Sequence, residues 1–404
     1  MSNHVKLSEV CEILNSNVDK KTKENEQEIK LCNFTDVYNN WAITKYKSKK
    51  FMKATATQNE INKFSLKKGY VAITKDSETK DDIGISTYIA DNFDNVLLGY
   101  HCTLLKPNQK VLNGKFLNAY LSSFYGRKYF SNCASGSGQR YTLTIDIIKD
   151  LNIPLINIET QQKIARTLSI LDQKIENNHK INELLHKILE LLYEQYFVRF
   201  DFLDENNKPY QTNGGKMKFS KELNRLIPND FEVKTLGELT QLKVGNKNAN
   251  HSSNHGKYPF FTCSNNPLKC ETYQFEGKHV IISGNGNFYV THYDGKFDAY
   301  QRTYVVNPNN PNHYVLIYLF VKSYTNYLKL QSRGSIIKFI TKSDIENIKI
   351  ILPNLKTYTK WNNILKMIEN NMQSTQTLTT LRDFLLPLLL KQQVKPKNQK
   401  QNQK

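Results

Sequence analysis

The sequence predicts an α+β protein: two mixed α/β domains in tandem, each followed by a long helix, the two helices packing as an antiparallel coiled coil. Three observations predict it. At 404 residues the chain is too long for one hydrophobic core and long enough for two. Its apolar pattern repeats itself at a constant offset, and two extended segments carry apolar residues at heptad spacing.

The repeat organises the chain. The stretch from Leu143 superimposes on the stretch from Ile340 at an offset of 197 residues. Leu143 falls on Ile340, Ile148 on Ile345, Leu151 on Ile348, Ile153 on Ile350 and Leu155 on Leu352. The register continues through Ile164 on Trp361, Leu168 on Leu365, Leu171 on Ile368 and Ile175 on Met372. Upstream the match is weaker: LSEV from Leu7 resembles LGEL from Leu236, and GYVAIT from Gly69 resembles GKHVIIS from Gly277. Domains that have diverged beside helices that have not fit two readers of different things joined by one shared element.

Thr160 to Phe197 contains neither Pro nor Gly, and Ile164, Leu168, Leu171, Ile175, Leu185 and Leu189 define a seam of a and d positions. Asn178 and Asn182 interrupt it. Such residues either fix register and orientation or sit exposed on a bent helix. Ile181, Leu184, Ile188 and Leu191 widen the stripe, so this helix has more than one neighbour. The second helix, from about Thr357 to Lys391, carries Trp361, Leu365, Ile368 and Met372 on the matching seam, and Pro387 breaks or kinks its last turns. A helix of about 38 residues spans roughly 57 Å, around one and a half turns of duplex DNA, which makes the pair a possible spacer.

The boundaries follow: residues 1–159 form the first domain, 160–200 its helix, 201–235 a linker, 236–356 the second domain, 357–391 the distal helix, and 392–404 a basic tail expected to be disordered. In the first domain Gly69 to Thr74 and Asn95 to Leu105 read as strands and Gly114 to Phe130 as a helix. In the second, Lys278 to Ser283, Asn287 to Tyr293 and Arg302 to Val306 read as strands, with a helix from Asn312 to Leu330. Neither alternates strand and helix as a doubly wound nucleotide fold does.

The chain carries 56 Lys and Arg against 37 Asp and Glu, a net charge of +19, which suits a polyanionic partner. No start segment resembles a secretory signal and no run of eighteen apolar residues occurs, so a cytoplasmic protein without membrane contact is expected. Six scattered cysteines give no CxxC pair. His251, His255, Cys263 and Cys270 lie within twenty residues but match no common zinc spacing, and read as loop histidines and packed thiols. No bound metal is expected. No phosphate loop is present, because the Gly-Lys pairs at Gly114, Gly215, Gly256, Gly277 and Gly295 are never followed by Ser or Thr. No methyltransferase box is present either, and SGNGN (Ser283 to Asn287) reads as a hairpin turn. No catalytic residue is predicted.

What remains is an inventory of binding residues. SGSGQR follows the helix of the first domain and QSRGSIIK that of the second. Small residues beside Arg and Gln bring backbone N–H groups and a bidentate side chain close to phosphates or base edges. The DNA-contact candidates there are Ser137, Gln139 and Arg140, and Arg333 and Ser335. Further candidates are Lys45, Lys47, Lys49, Lys50 and Lys53 in the first domain. In the second they are Lys247, Tyr258, Ser264, Asn265, Tyr300, Gln301 and Arg302.

The segment from Ile153 to Phe202 resembles, nearly end to end, the central conserved region of the DNA-specificity subunits of type I restriction-modification systems. The resemblance rests on Gln161-Gln162, Leu171-Asp172, Ile175, Ile181-Asn182 and Phe197-Val198 before Phe200-Asp201-Phe202. PNDFEVKTLGEL, from Pro228, is similar to the opening of a second target-recognition domain, with Phe231 where the family often has Trp. In the distal helix Tyr358-Thr359 replaces the Gln pair. The resemblance implies two target-recognition domains, each reading one half of an asymmetric bipartite site in double-stranded DNA, with the helices fixing the gap. It further implies two methyltransferase (modification) subunits and motor-nuclease (restriction) subunits as partners, with S-adenosylmethionine, ATP and Mg on those partners and no cofactor here. The rival readings are a coiled-coil interaction protein with nonspecific DNA binding and a nuclease acting alone.

Overall fold

The computed structural model describes residues 3–138, 140–253, 256–335, 337–353 and 358–393. Gln139, His255, the expected helix start at Thr357 and the basic tail from residue 394 lie outside them. The chain divides into two units, residues 1–177 with 375–404, and residues 178–374. Each unit contains one globular domain and part of both long helices, α1 (Ile158–Tyr193) and α2 (Asn362–Leu390).

In the first unit a five-stranded sheet runs in the order Cys11–Asn15, Cys102–Pro107, Val71–Thr74, Ser86–Ile89, Ala42–Ile43. A three-stranded sheet of Met52–Ala56, Gln27–Cys32 and Val96–Leu98 packs its own small core around Ile29, Leu31, Ala54 and Leu97. The strand expected from Asn95 to Leu105 is therefore two strands in two sheets. Gly99 opens a tight turn, with the Cys102 N–H bonded back to its carbonyl at 3.1 Å. The helix expected from Gly114 to Phe130 likewise breaks into Gly114–Ser122 and Phe124–Cys133. Ser123 is extended at the break, and its hydroxyl donates to the Tyr120 carbonyl at 2.6 Å, replacing a helical bond.

The second unit carries a six-stranded sheet in the order Thr240–Val244, Thr303–Pro308, Phe275–Ser283, Val290–Ala299, Tyr258–Phe261, Leu268–Cys270. The SGNGN segment forms the turn of the hairpin Phe275–Ser283/Val290–Ala299, as its composition predicts. The helix expected from Asn312 to Leu330 is a short Pro311–His313 turn followed by Tyr314–Ser323 and Thr325–Gln331. The stretch 201–235 is folded too: Phe202 stacks between Tyr210 and Phe231 at 4.9 and 5.4 Å, beside a hairpin of Met217–Ser220 with Arg225–Pro228.

The duplication is visible as one device used twice. Asn3–Lys6 pairs antiparallel with Asn152–Leu155, and Glu232–Thr235 with Lys349–Leu352. In both clasps the next residue bonds across the domain: the Leu7 N–H to the Leu151 carbonyl and the Leu236 N–H to the Ile348 carbonyl, each at 2.8 Å. The long helices are then anchored by amides. Gln161, fully buried, donates to the carbonyls of Val111 and Ile156 and accepts from the Asn113 N–H. In the second unit Asn362 donates to the Asn312 carbonyl and accepts from the Val315 N–H.

The helices pair antiparallel within each unit. In the first, Ile164 and Leu168 share a core with Leu386 and Leu389; in the second, Leu185 and Leu189 share one with Trp361, Leu365 and Ile368. Leu171 is buried and Ile175 half-buried, as the seam requires. Met372 is not on the seam: it is 46% exposed, and Asn371 takes its place. Asn371 meets the two polar interruptions of α1. Its amide donates to Asn182 Oδ1 at 2.8 Å, while Asn178 and Asn182 donate to the carbonyls of Asn371 and Ile368 at 3.4 and 3.3 Å. Of the two roles open to those asparagines, the structure shows the register contact. Pro387 does not break α2, which continues to Leu390 with the Lys391 N–H bonded to the Pro387 carbonyl at 3.0 Å.

Polar groups also line the junction of domain and helices in the second unit. His292 Nδ1 lies 3.0 Å from Glu369 Oε1, which accepts from the Tyr314 hydroxyl at 2.9 Å. His186 packs on His292 with ring centroids 6.0 Å apart. Burial, with help from Lys322 and His292, pushes the His186 imidazole down to about 4. A base whose folded value lies below its unfolded 6.5 contributes stability above pH 6.5 and loses it as pH falls toward 4. The urea midpoint of the chain is expected to drop across that window, and less so in His186→Gln. Leu365→Ala, at a fully buried seam position, should cost about 2–5 kcal/mol in the same assay. Asn371→Ala should cost about 1 kcal/mol, by leaving Asn182 Oδ1 without its donor.

Candidate nucleic-acid interface

In the first unit SGSGQR forms a hairpin, Ser135–Ser137 with Arg140–Thr142, extended by Asp76–Ser77 into a three-stranded sheet. Gly136 has φ +132°, and a Cβ there would lie 2.2 Å from the Arg140 carbonyl, so only glycine lets the strands approach. Arg140 is exposed at the tip and lines a cleft with Asn33, Phe34, Tyr38, Asp76 and His101. His101 Nδ1 lies 2.8 Å from Asp76 Oδ2, and Tyr38 donates to Asp82 at 3.0 Å. Beside it the Lys75 ammonium sits over the exposed Tyr100 ring at 4.5 Å, and that of Lys80 over Tyr141 at 5.6 Å. The cleft thus mixes fixed acceptors, cations and exposed rings, the groups that separate one base edge from another.

In the second unit QSRGSIIK is also a hairpin, closed by reciprocal bonds between Arg333 and Phe339 at 2.9 and 2.8 Å. Gly334, at φ +99°, is also a required glycine: a Cβ would lie 2.4 Å from the Ile337 carbonyl. The hairpin packs on the 284–287 turn through Gly286 N–H to Lys338 O and Ile340 N–H to Gly284 O. Gly284 N–H bonds the Arg302 carbonyl at 2.7 Å, and Gln301 N–H bonds that of Lys247 at 2.9 Å. Arg333, Ser335, Gln301, Arg302, Ser264 and Asn265 are all exposed. Lys247, Gln301, Arg302, the 284–287 turn and Arg333 therefore form one continuous surface.

Not every candidate is free to bind. Lys45, Lys49 and Lys50 are exposed around the turn Lys47–Lys50, but Lys47 is half-buried and donates to the Ala42 carbonyl at 2.8 Å. It also offsets the buried Asp172, whose carboxyl burial pushes up and Lys47 and Arg382 pull down. Lys53 pairs with Glu28 at 2.9 Å, Arg333 with Asp344 at 3.3 Å, and Lys247 lies 4.0 Å from Asp298. Tyr258 packs on Tyr273 with centroids 5.0 Å apart, away from the Arg333 hairpin in sequence and sheet order. Ser137 lies on its hairpin strand, and Gln139 lies outside the described residues. Sequence reasoning missed Asn33, Phe34, Tyr38, Lys75, Tyr100 and His101. The one local signal was Gly99-Tyr100-His101, polar and aromatic residues after a glycine inside an apolar run.

Of the four metal-ligand candidates, Cys263 faces the Arg302 carbonyl at 3.7 Å and His255 lies outside the described residues. His251 and Cys270 come together with Asp298, the one group of three possible ligands among the described residues. On α1, Ile181, Leu184, Ile188 and Leu191 are 42–63% exposed, an apolar stripe flanking the seam. No described helix is long and apolar enough to cross a membrane.

These features define a protein of two reading domains, each with a glycine-hinged arginine hairpin, built onto paired helices. The model of the type I restriction modification DNA specificity domain matches residues 2–187 and 228–381, and the chain belongs to that family. It is 34% identical over 173 residues to the type I restriction enzyme EcoDI specificity subunit of Escherichia coli, a stretch covering 40% of this chain and 38% of that protein. It is 27% identical over 350 residues to the MjaIX specificity subunit of Methanocaldococcus jannaschii, covering 80% of this chain and 74% of that one. The crystal structure of a type I restriction-modification S subunit from M. genitalium shares the fold, with TM-score 0.54, 18% identity and 96% of both chains covered.

Replacing Gly136 or Gly334 by Ala is expected to open its hairpin. Hydrogen exchange should quicken at the Arg140 or Arg333 strand, with the melting of the whole chain little changed.

Proposed function

We propose that this chain is the DNA-reading, non-catalytic subunit of a type I restriction-modification complex. Each domain reads one half of an asymmetric bipartite site in double-stranded DNA, and the helix pair sets the gap. The observation that carries this is that each domain exposes an arginine on a glycine-containing hairpin, on opposite strands and in different surroundings: an acidic and aromatic cleft at Arg140, a basic and amide-rich surface at Arg333. Hairpins that differ in arginine placement and lining fit two unlike half-sites. Phosphate contacts from the exposed lysines supply affinity that falls with salt, and the hairpins supply specificity.

The exposed stripe Ile181, Leu184, Ile188 and Leu191 repeats at helical spacing and suits an apolar helix face of another chain. We assign it to the methyltransferase subunits, two per complex. S-adenosylmethionine on those subunits, and ATP and Mg on motor-nuclease subunits, supply the chemistry this chain lacks, in the cytoplasm where the DNA lies. A nuclease acting alone would place clustered carboxylates at an exposed cleft. Of the carboxylates lining the cleft at Arg140, Asp76 is instead held by His101 and Asp82 by Tyr38.

Methylation-sensitive sequencing of DNA from cells expressing this chain with its methyltransferase partner should return a two-part asymmetric motif; a single undivided motif would overturn the reading. Arg140→Ala should relax one half and Arg333→Ala the other, each by about 1–3 kcal/mol of discrimination. Removing one heptad from both helices shortens the pair by about 10 Å, so the gap should contract by roughly three base pairs while both half-sites persist. Leu184→Asp with Leu191→Asp should abolish copurification of the methyltransferase subunit.

A further inference from the structure

We infer that the second unit holds a transition-metal ion of the zinc class between His251, Cys270 and Asp298. The three residues come from separate segments: the turn Ala249–His251, the end of the strand Leu268–Cys270, and the strand Val290–Ala299. One ligand atom from each lies within 4.8 Å of the others, and His251 Nε2 is 3.1 Å from Asp298 Oδ2. Zinc bonds of about 2.0–2.3 Å place tetrahedral ligands roughly 3–4 Å apart, so the set is within about 1 Å of a coordinated shell.

A second observation points the same way. Asp298 is fully buried, and its Oδ1 has no hydrogen-bond partner. A lone carboxylate oxygen in that position costs free energy unless a cation meets it. Nitrogen, sulfur and oxygen donors together suit zinc and do not suit magnesium or calcium, which take oxygen shells. The Thr272 hydroxyl donates to Asp298 Oδ2 at 2.8 Å and lies 3.1 Å from His251 Nε2, so it either supports the carboxylate or stands beside the fourth position. The loop closes tightly here: a Cβ on Gly256 would lie 2.4–2.5 Å from the Cys270 backbone.

Lys247 is the competing cation. Its ammonium is 4.0 Å from Asp298 Oδ2 and partly exposed. An ion entering the site displaces it from the carboxylate and frees its charge for solvent or phosphate. The ion staples the segment carrying Lys247 to the sheet edge formed by Tyr258–Phe261 and Leu268–Cys270. Its role is structural.

The full-length chain, purified without a histidine tag, should retain one equivalent of zinc after dialysis. Titration of the stripped chain with Co(II) should give a thiolate-to-cobalt charge-transfer band. Cys270→Ser should abolish the band and Cys263→Ser should leave it intact. His251→Ala and Asp298→Asn should weaken cobalt binding at least tenfold, while Lys247→Ala should tighten it several-fold. Circular dichroism of the stripped variants separates loss of metal from loss of fold. A chain that holds less than one equivalent and shows no band overturns the proposal, as does a band that survives Cys270→Ser.

Discussion

The amide contacts among Asn178, Asn182 and Asn371 constrain everything else in this chain. An apolar seam alone permits two helices to slide by a heptad at little cost, because leucines replace one another. The amides do not permit it: a slipped register would strand Asn182 against aliphatic side chains and lose the 2.8 Å bond from Asn371. Register in turn decides which residues complete each domain. With the asparagines matched, Trp361, Leu365 and Ile368 close the core that Leu185 and Leu189 enter, and Leu386 and Leu389 close the one around Ile164 and Leu168.

The duplicated unit is held by different chemistry at equivalent places. The clasps share a geometry, yet their two strands sit at offsets of 229 and 197 residues, so the second domain is 32 residues shorter. Gln161 is buried and bonded three times, while Tyr358 stands at its repeat position and Asn362, one turn on, holds the helix Tyr314–Ser323. The anchor has moved along the helix without being lost. The sequence comparison of Gln161 with Tyr358 therefore understated how alike the two attachments are.

Much of the scaffold was legible in the sequence because it depends on periodicity. The repeat, both long helices, the SGNGN turn and the heptad seam through Leu189 all follow from apolar spacing and turn residues. Where a single side chain decides, spacing was silent. Ser123 interrupts a helix through its own hydroxyl, Met372 loses the seam to a residue with a polar partner across it, and Lys47 turns inward toward Ala42 and Asp172. The interfaces were half legible. Arg140 and Arg333 announced themselves by their glycines, but Tyr100 and His101 reach the same cleft only through the fold. Asp298, an ordinary strand carboxylate in the sequence, acquires its chemistry from His251 and Cys270 many residues earlier.

The burial of Leu386 and Leu389 against Ile164 and Leu168 also bears on synthesis. The first domain is translated early, yet one wall of its core belongs to the last stretch of described chain. Until that stretch leaves the ribosome, the first half of α1 presents bare leucine and isoleucine beside an otherwise finished domain. The second unit, whose residues are contiguous from 178 to 374, has no such wait. A nonsense mutation just before Leu385 would thus injure the domain farthest away in the gene and spare the nearer one.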